Sequence, residues 1–313
     1  MSRRSSRLDC VKKSDITVEL VERLIADQFP RWTDRLVRRV EHDGWDNTSF
    51  RLGEEFVVRL PSADGYIPQV AKEHDWLPVL ASQLPLPIPA PVARAVPSTL
   101  FPRPWSVYRW LPGHSAALGA INDLEQFATD LGAFLRALQS IDATGGPAAG
   151  PQSHWRGGDL SSYDEDTRKA VADLAGLVDP DAVRAAWERA ASTVWKREPV
   201  WVHGDVAASN LLVTDGRLTS VIDFGCSAIG DPACDLVIAW TLFAGDSRRA
   251  FRDRMMLDDA TWERARGWAL WKALLTYRDG VRNATQGEAE RRFGWRTDAA
   301  SLVVELTSPS ETR

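Results

Sequence analysis

His203-Gly204-Asp205-Val206-Ala207-Ala208-Ser209-Asn210 is followed shortly by Asp223-Phe224-Gly225. An Asp, an Asn five residues later and a second Asp soon after are the groups that phosphoryl transfer needs. Asp205 can accept a proton from an attacking hydroxyl and hold it in line. Asn210 and Asp223 offer hard oxygen ligands to a magnesium ion that neutralises nucleotide phosphates. Most of the catalysis in such a reaction is positioning and charge neutralisation. Taken singly, each of these residues would be an ordinary turn former or helix cap. The ordered set carries the inference.

The elements around them supply geometry. Val200-Trp201-Val202 reads as a short apolar strand that delivers His203-Gly204-Asp205 at its end. Leu211 to Val213 and Leu218 to Ile222 read as two strands, and Asp215-Gly216 between them is a strong hairpin signal. Asn210 enters this hairpin and Asp223 leaves it, so arms of similar length bring the two side chains close together. His203 is expected to be a structural hydrogen-bonding residue rather than the base.

Upstream the texture differs. Residues 17–29 carry apolar side chains at helical spacing, with Asp15 or Thr17 as cap. Residues 36–40, 49–52 and 56–60 read as antiparallel strands with short connections. Residues 70–80 read as a helix, Pro85, Pro87, Pro89 and Pro91 as an extended connector, and 105–110 as a last strand. From 122 onward helical stripes dominate, at 122–141, 165–195, 232–244 and 262–278, with Asn122 and Glu125 as a capping pair. A strand-rich part thus precedes a larger helical part that holds the chemistry.

His-Gly-Asp-x-x-x-x-Asn followed by Ile-Asp-Phe-Gly resembles the aminoglycoside phosphotransferase family, the antibiotic-kinase relatives of protein kinases. The segment Gly230-Asp231-Pro232-Ala233-Cys234-Asp235-Leu236 matches that family's Gly-Asp-Pro-x-x-Asp-Leu. The similarity runs from about residue 17 to about residue 280. It implies an α+β, protein-kinase-like two-lobe fold: an antiparallel-sheet N-lobe over residues 1–112, a hinge near 107–112, and a mainly helical C-lobe over 113–313. It implies a nucleotide clamp as well. Arg59 stands where kinases place a strand lysine, with Glu73 as its helix partner and Lys72 as the alternative cation. Arginine is permanently charged and can fork onto carboxylate and phosphate, with a geometry unlike that of lysine. The purine is expected on the backbone carbonyl of Arg109 and the N–H of Leu111, since Pro112 has no N–H. The loop Glu41-His42-Asp43-Gly44-Trp45-Asp46-Asn47 holds one glycine where kinases carry three.

The reading is therefore an ATP- or GTP-dependent, magnesium-dependent phosphotransferase acting on an alcohol group. An aminoglycoside-type antibiotic is the leading acceptor, cationic and polyhydroxylated. Macrolide, peptide antibiotic, choline, homoserine and sugar-derivative acceptors stay open, as does a non-catalytic nucleotide binder. Asp159 and the run Asp164-Glu165-Asp166 are candidate ammonium ligands, or a solvated helix start; Trp155 or Trp271 are candidates for stacking on a substrate ring. Asp231 reads as a helix N-cap with Pro232 in the first turn, and Asp235 as a brace for the catalytic loop. No Ala-Pro-Glu segment follows Asp223-Phe224-Gly225, which argues against a protein kinase.

Composition limits the field further. The 313 residues carry a formal net charge of −5, which argues against nucleic-acid binding through a general basic field. Three cysteines, Cys10, Cys226 and Cys234, form no Cys-x-x-Cys pair, so neither a zinc ribbon nor a disulfide framework is expected. The Arg-rich start has no apolar run behind it, so no secretory signal is expected and a cytoplasmic setting is the simplest.

Overall fold

Two units divide the chain of the computed structural model, which describes residues 11–41 and 46–308. The first takes in the chain up to Pro78 together with Pro89–Trp110; the second comprises Val79–Ile88 and everything from Leu111 onward.

The first unit is built on a five-stranded antiparallel sheet in the order β1-β2-β3-β5-β4, formed by β1 (Val37–Arg39), β2 (Asn47–Leu52), β3 (Phe56–Pro61), β4 (Pro91–Ala95) and β5 (Trp105–Arg109). Strict alternation in β2 and β3 sends Phe50, Leu52, Phe56, Val58 and Leu60 into one core. That core is closed by α1 (Val18–Gln28) through Val21, Leu24 and Ile25. Thr17 caps α1, its hydroxyl accepting from the Leu20 N–H at 3.3 Å. The opposite phase of β3 turns Val57 and Arg59 to the other face. There the second helix, α2 (Ile67–Ala81), contributes Glu73.

One detail departs from the sequence expectation. The proline-rich connector contains a strand: β4 begins at Pro91 and pairs with β5, with Ala95 opposite Trp105. As the sheet's edge and at its first residue, it tolerates the missing N–H. Helix α2 covers the expected 70–80 and runs through Pro78, which forgoes the bond to the His74 carbonyl one turn back.

The second unit is mainly helical. Its helices are α3 (Leu124–Ser140), α4 (Asp164–Asp173), α5 (Pro180–Ala191), α6 (Ile238–Thr241), α7 (Gly245–Met255), α8 (Asp259–Asn283), α9 (Glu288–Phe293) and α10 (Ala299–Thr307). Helix α3 packs on α7, and α8 is flanked by α4, α5 and α10. The cap of α3 is Asp123, which accepts from the Glu125 and Gln126 N–H groups. The expected Asn122–Glu125 pair does not form; Asn122 instead donates to the Asp215 carbonyl at 3.1 Å. The helical stretch expected over 165–195 breaks between Leu174 and Asp179, where Gly176 has a φ of +79°.

Short strands carry the chemistry-bearing loops. Strand β6 (His114–Ser115) pairs with β8 (Leu211–Thr214), which pairs with β9 (Arg217–Val221); β7 (Val200–Val202) pairs with β10 (Ala228–Gly230). Asp215 and Gly216 turn the β8–β9 hairpin with φ of +50° and +73°, the left-handed pair that a two-residue turn requires.

Candidate active site

Strand β7 ends at Val202, and the next two residues, His203 and Gly204, are fixed by one buried carboxylate. Asp235 Oδ2 accepts the His203 N–H at 2.8 Å, and Oδ1 accepts the Gly204 N–H at 2.7 Å. Burial pushes the Asp235 carboxyl up, against the opposing pull of His203 and of these N–H bonds. Gly204 has a φ of +85°, and a Cβ there would collide with the Cys226 carbonyl, so only glycine fits. His203 is fully buried. Its Nε2 bonds the Ile222 carbonyl at 2.9 Å, its Nδ1 accepts the Asp205 N–H at 3.2 Å, and its ring meets Phe224 edge-on at 4.6 Å. The histidine therefore ties the loop after β7 to the end of β9, and both ring nitrogens are engaged in doing so.

Asp205 is the outward member of this loop, with 38% of its side chain exposed. Its two oxygens face different neighbours. Oδ2 accepts from Asn210 Nδ2 at 3.1 Å, and the same amide nitrogen reaches the Asp205 carbonyl at 2.9 Å. Oδ1 lies 3.3 Å from Lys272 Nζ on α8. Burial raises the Asp205 carboxyl, but the charges of Lys272, Arg156 and His203 outweigh it and hold the group below the ordinary aspartate range. It is an ionised acceptor at neutral pH.

Asn210 closes a short turn, and the Ile222 N–H donates to its carbonyl at 2.9 Å. Leu211 is registered with Val221, so Asn210 lies opposite Ile222, the residue before Asp223. Asp223 itself holds a left-handed backbone, φ +68° and ψ +65°, a sparsely populated conformation for a residue with a Cβ. With the Asn210 amide nitrogen spent on Asp205, its amide oxygen remains as a ligand atom. An amide oxygen and a carboxylate are ligand types that suit a hard divalent cation of the magnesium type. Among the described residues no group of three or more His, Cys, Asp or Glu side chains is placed to hold a metal ion.

A second constellation lies in the first unit. Arg59 Nη1 sits 3.5 Å from Glu73 Oε1, with the two side chains 15% and 6% exposed. The other Glu73 oxygen accepts from the Tyr108 hydroxyl. Burial and the Glu73 charge push the Tyr108 phenol well above its usual range, so it stays a donor. Arg59 also stacks near the Tyr108 ring, at 5.8 Å. Lys72 is buried on the same helix. Arg109 is the exposed last residue of β5, and Leu111 is the half-buried first residue of the second unit after Trp110. Of the single-glycine loop, residues 42–45 lie outside the described residues.

The Gly-Asp-Pro segment braces the base loop from below. Asp231 caps the short turn at Ala233, at 3.0 Å, and receives a forked pair from the buried Arg264 at 2.6 and 3.2 Å. Gly230 abuts the Gly157 carbonyl so closely that no Cβ fits. Three of the four acidic candidates upstream are engaged locally: Asp159 caps Ser161, Asp164 accepts from Trp187 Nε1 at 2.6 Å, and Glu165 pairs with Lys169; Asp166 is exposed. Trp155 is 44% exposed, and Trp271 is nearly buried beside Asp205.

Three neighbours of the chemistry escaped the sequence reading. Tyr108 was signalled only through register: β3 and β5 pair Val57 with Tyr108 and Arg59 with Ser106, so Arg59 and Tyr108 share a face. Arg156 and Lys272 lie far from the motifs along the chain, and no spacing rule connects them to Asp205.

A family model described as "Phosphotransferase enzyme family" matches residues 37–268. The GDP and kanamycin complex of APH(2")-IIia is 20% identical, with a TM-score of 0.68 over 92% of this chain and 96% of that chain. Macrolide 2'-phosphotransferase MphH from Brachybacterium faecium is 22% identical, with a TM-score of 0.60 over 95% of this chain and 99% of that one. These likenesses establish the protein-kinase-like fold. An Escherichia coli aminoglycoside 3'-phosphotransferase is 35% identical over 78 residues, 21% of this chain. The match spans only 28% of the length of that curated relative.

Proposed function

This chain belongs to the phosphotransferase enzyme family, and from that premise we propose that it moves the γ-phosphoryl group of ATP or GTP to an alcohol hydroxyl of a small, polyhydroxylated acceptor. Antibiotics of the aminoglycoside type are the leading acceptor class. The observation that carries the reading is the ionised, half-open Asp205 fixed by Asn210 at the head of a hairpin whose other arm ends at Asp223.

In this reading the acceptor hydroxyl donates to the Asp205 carboxylate. Its oxygen forms the new bond to the γ-phosphorus as the bond to the β-phosphate oxygen breaks. The hydroxyl proton passes to Asp205, and the nucleoside diphosphate leaves. Asn210, by holding Oδ2, fixes the direction in which Asp205 accepts. Asn210 and Asp223 would hold magnesium, which supplies charge neutralisation on the phosphates. Arg59, held by Glu73, would contact the inner phosphates, its planar fork serving in place of lysine. The Arg109 carbonyl and the Leu111 N–H would receive the purine. The N-lobe would then cover residues 1–112 and the C-lobe 113–313, and the nucleotide supply makes the cytoplasm the working compartment. No helix among the described residues is long and apolar enough to cross a membrane.

A structural neighbour holding GDP and kanamycin supports the acceptor class. A second reading, an acceptor with few or no ammonium groups of the macrolide or sugar-derivative kind, is favoured by the two cations that flank Asp205.

Expression in a sensitive bacterium tests the proposal. Wild type is expected to protect against at least one antibiotic and to yield a product heavier by one phosphate, while Asp205→Ala does neither. Equal protection by the variant would contradict the role of Asp205. Protection against no compound would remove the antibiotic class.

A further inference from the structure

The two oxygens of Asp205 look onto two sides: Oδ2 onto Asn210, where the metal ligands lie, and Oδ1 onto Lys272. The Oδ1 side is a small pocket lined by Arg156, Asp205, Cys234, Trp268, Trp271 and Lys272, among others. Its cavity of about 10 Å³ has room for one water-sized polar group, not for a ring.

The chemistry of this pocket is one-sided. The Arg156 guanidinium lies 4.4 Å from the Trp271 ring centroid and 5.4 Å from those of Tyr163 and Trp268. Arg156 Nη1 donates to the Tyr163 hydroxyl at 2.9 Å, and that hydroxyl in turn donates to the His154 carbonyl. Among the described residues Arg156 makes no carboxylate ion pair. A half-buried guanidinium is ordinarily paired, and this one is held only by rings and a phenol. Trp271 adds a buried indole N–H without a partner among the described residues. The loop that presents Arg156 carries two consecutive left-handed non-glycine residues, His154 (φ +48°) and Trp155 (φ +57°). Such strain persists where the surroundings hold a side chain to a task. Against two cations and an N–H stands one carboxylate, Asp205; the Cys234 thiol is pushed well above its usual range by burial and stays neutral.

We propose that Arg156, Trp271 and Lys272 form an oxyanion-binding subsite on the acceptor side of Asp205. The group flanking the reacting hydroxyl then places one acceptor-only oxygen, of a carboxylate or a phosphate that itself stays outside, in this space, and not an ammonium. This rests on the reading of Asp205 as the group that faces the acceptor hydroxyl. On a polyamine acceptor it restricts transfer to a hydroxyl remote from the amines. Of the acidic residues that could have taken ammonium groups nearby, Asp159, Asp164 and Glu165 are capped, bonded or paired elsewhere, and Asp166 is exposed.

Ligand-observed NMR on the full chain tests the subsite without turnover, so its outcome is separate from that of the transfer assay. The probes are inorganic phosphate and three size-matched alcohols: glycerate, glycerol and aminopropanediol. Wild type is expected to bind phosphate and to rank glycerate above glycerol above aminopropanediol. Arg156→Gln and Lys272→Met are each expected to weaken phosphate and glycerate about tenfold and to flatten the ranking. Trp271→Phe, which keeps the ring and removes the N–H, is expected to weaken glycerate by a smaller factor. Thermal melting of each variant identifies any that fail to fold, and the ranking by wild type stands independently of them. Aminopropanediol bound as tightly as glycerate would overturn the proposal, as would affinities unchanged in folded variants. Saturation with magnesium and a non-hydrolysable ATP analogue should leave glycerate bound. Displacement of glycerate and phosphate alike would assign the cations to the phosphoryl group in transfer and overturn the acceptor assignment.

Discussion

The clamp around Arg59 and the loop around Asp205 solve different problems with similar charges. Arg59, Glu73 and Tyr108 form a closed network in the first unit: both Glu73 oxygens are used, and the pair is almost wholly buried. Asp205 is held as firmly, by Asn210 on one side and Lys272 on the other, yet remains more than one-third exposed. A clamp that grips a fixed part of a nucleotide gains from being satisfied in advance. In the proposed role Asp205 must keep an open direction for a changing acceptor, and the loop that carries it is pinned from beneath by Asp235 and His203. In the proposed roles, burial marks what holds and partial exposure marks what reacts.

The largest test of that contrast is at the open end. Asp205→Ala should lower transfer by about 10³-fold, roughly 4 kcal/mol, in steady-state kinetics with nucleotide affinity retained. A comparable loss of nucleotide affinity would erase the distinction between base and clamp. The brace comes next. Arg264→Ala leaves Asp231 buried and uncompensated, at a cost of about 3–5 kcal/mol by denaturant unfolding; a loss below 1 kcal/mol would show that the base loop stands without it.

In the clamp, Glu73→Ala strands a guanidinium and a phenol. It should cost about 2 kcal/mol of stability and raise the nucleotide KM while sparing acceptor affinity. An unchanged nucleotide KM would detach the pair from the nucleotide. Tyr108→Phe should cost about 1 kcal/mol, the smallest stability change in the series, and an effect exceeding that of Glu73→Ala would invert the proposed hierarchy.

The pH profile sharpens the other side. The folded-state value of Asp205 is depressed, so its stabilising contribution is complete above the ordinary aspartate value of 3.8 and fades as pH falls through the lower folded value. Wild-type turnover should therefore show no Asp205 titration near neutrality. Lys272→Met removes the largest depressing charge and should shift the acid limb of the rate profile upward; Lys272→Arg should restore it. An unmoved acid limb would mean that Lys272 does not govern the state of the base.

Much of this was legible beforehand where chemistry and local geometry coincide. Asp215-Gly216 dictates a left-handed two-residue turn, and that turn aligns Asn210 with the end of β9. Alternation along β3 sends Arg59 away from the core and toward α2. Other features were hidden for physical reasons. A strand starting at Pro91 is permitted only because it lies at a sheet edge, which a linear reading cannot know. Arg156 and Lys272 reach Asp205 only through tertiary packing around α8, and their helix and loop spacings carry no trace of it. Asn122 resembled a cap, but Asp123 beside it had the better placed carboxylate.

The central claim is that Asn210 and Asp223 hold a divalent cation beside Asp205, which precedes both in the sequence. Affinity for a non-hydrolysable ATP analogue, measured by calorimetry with and without magnesium, tests it most directly. Magnesium is expected to tighten binding by wild type at least about tenfold and to leave Asp223→Ala nearly indifferent. The same magnesium response in both proteins would contradict the account.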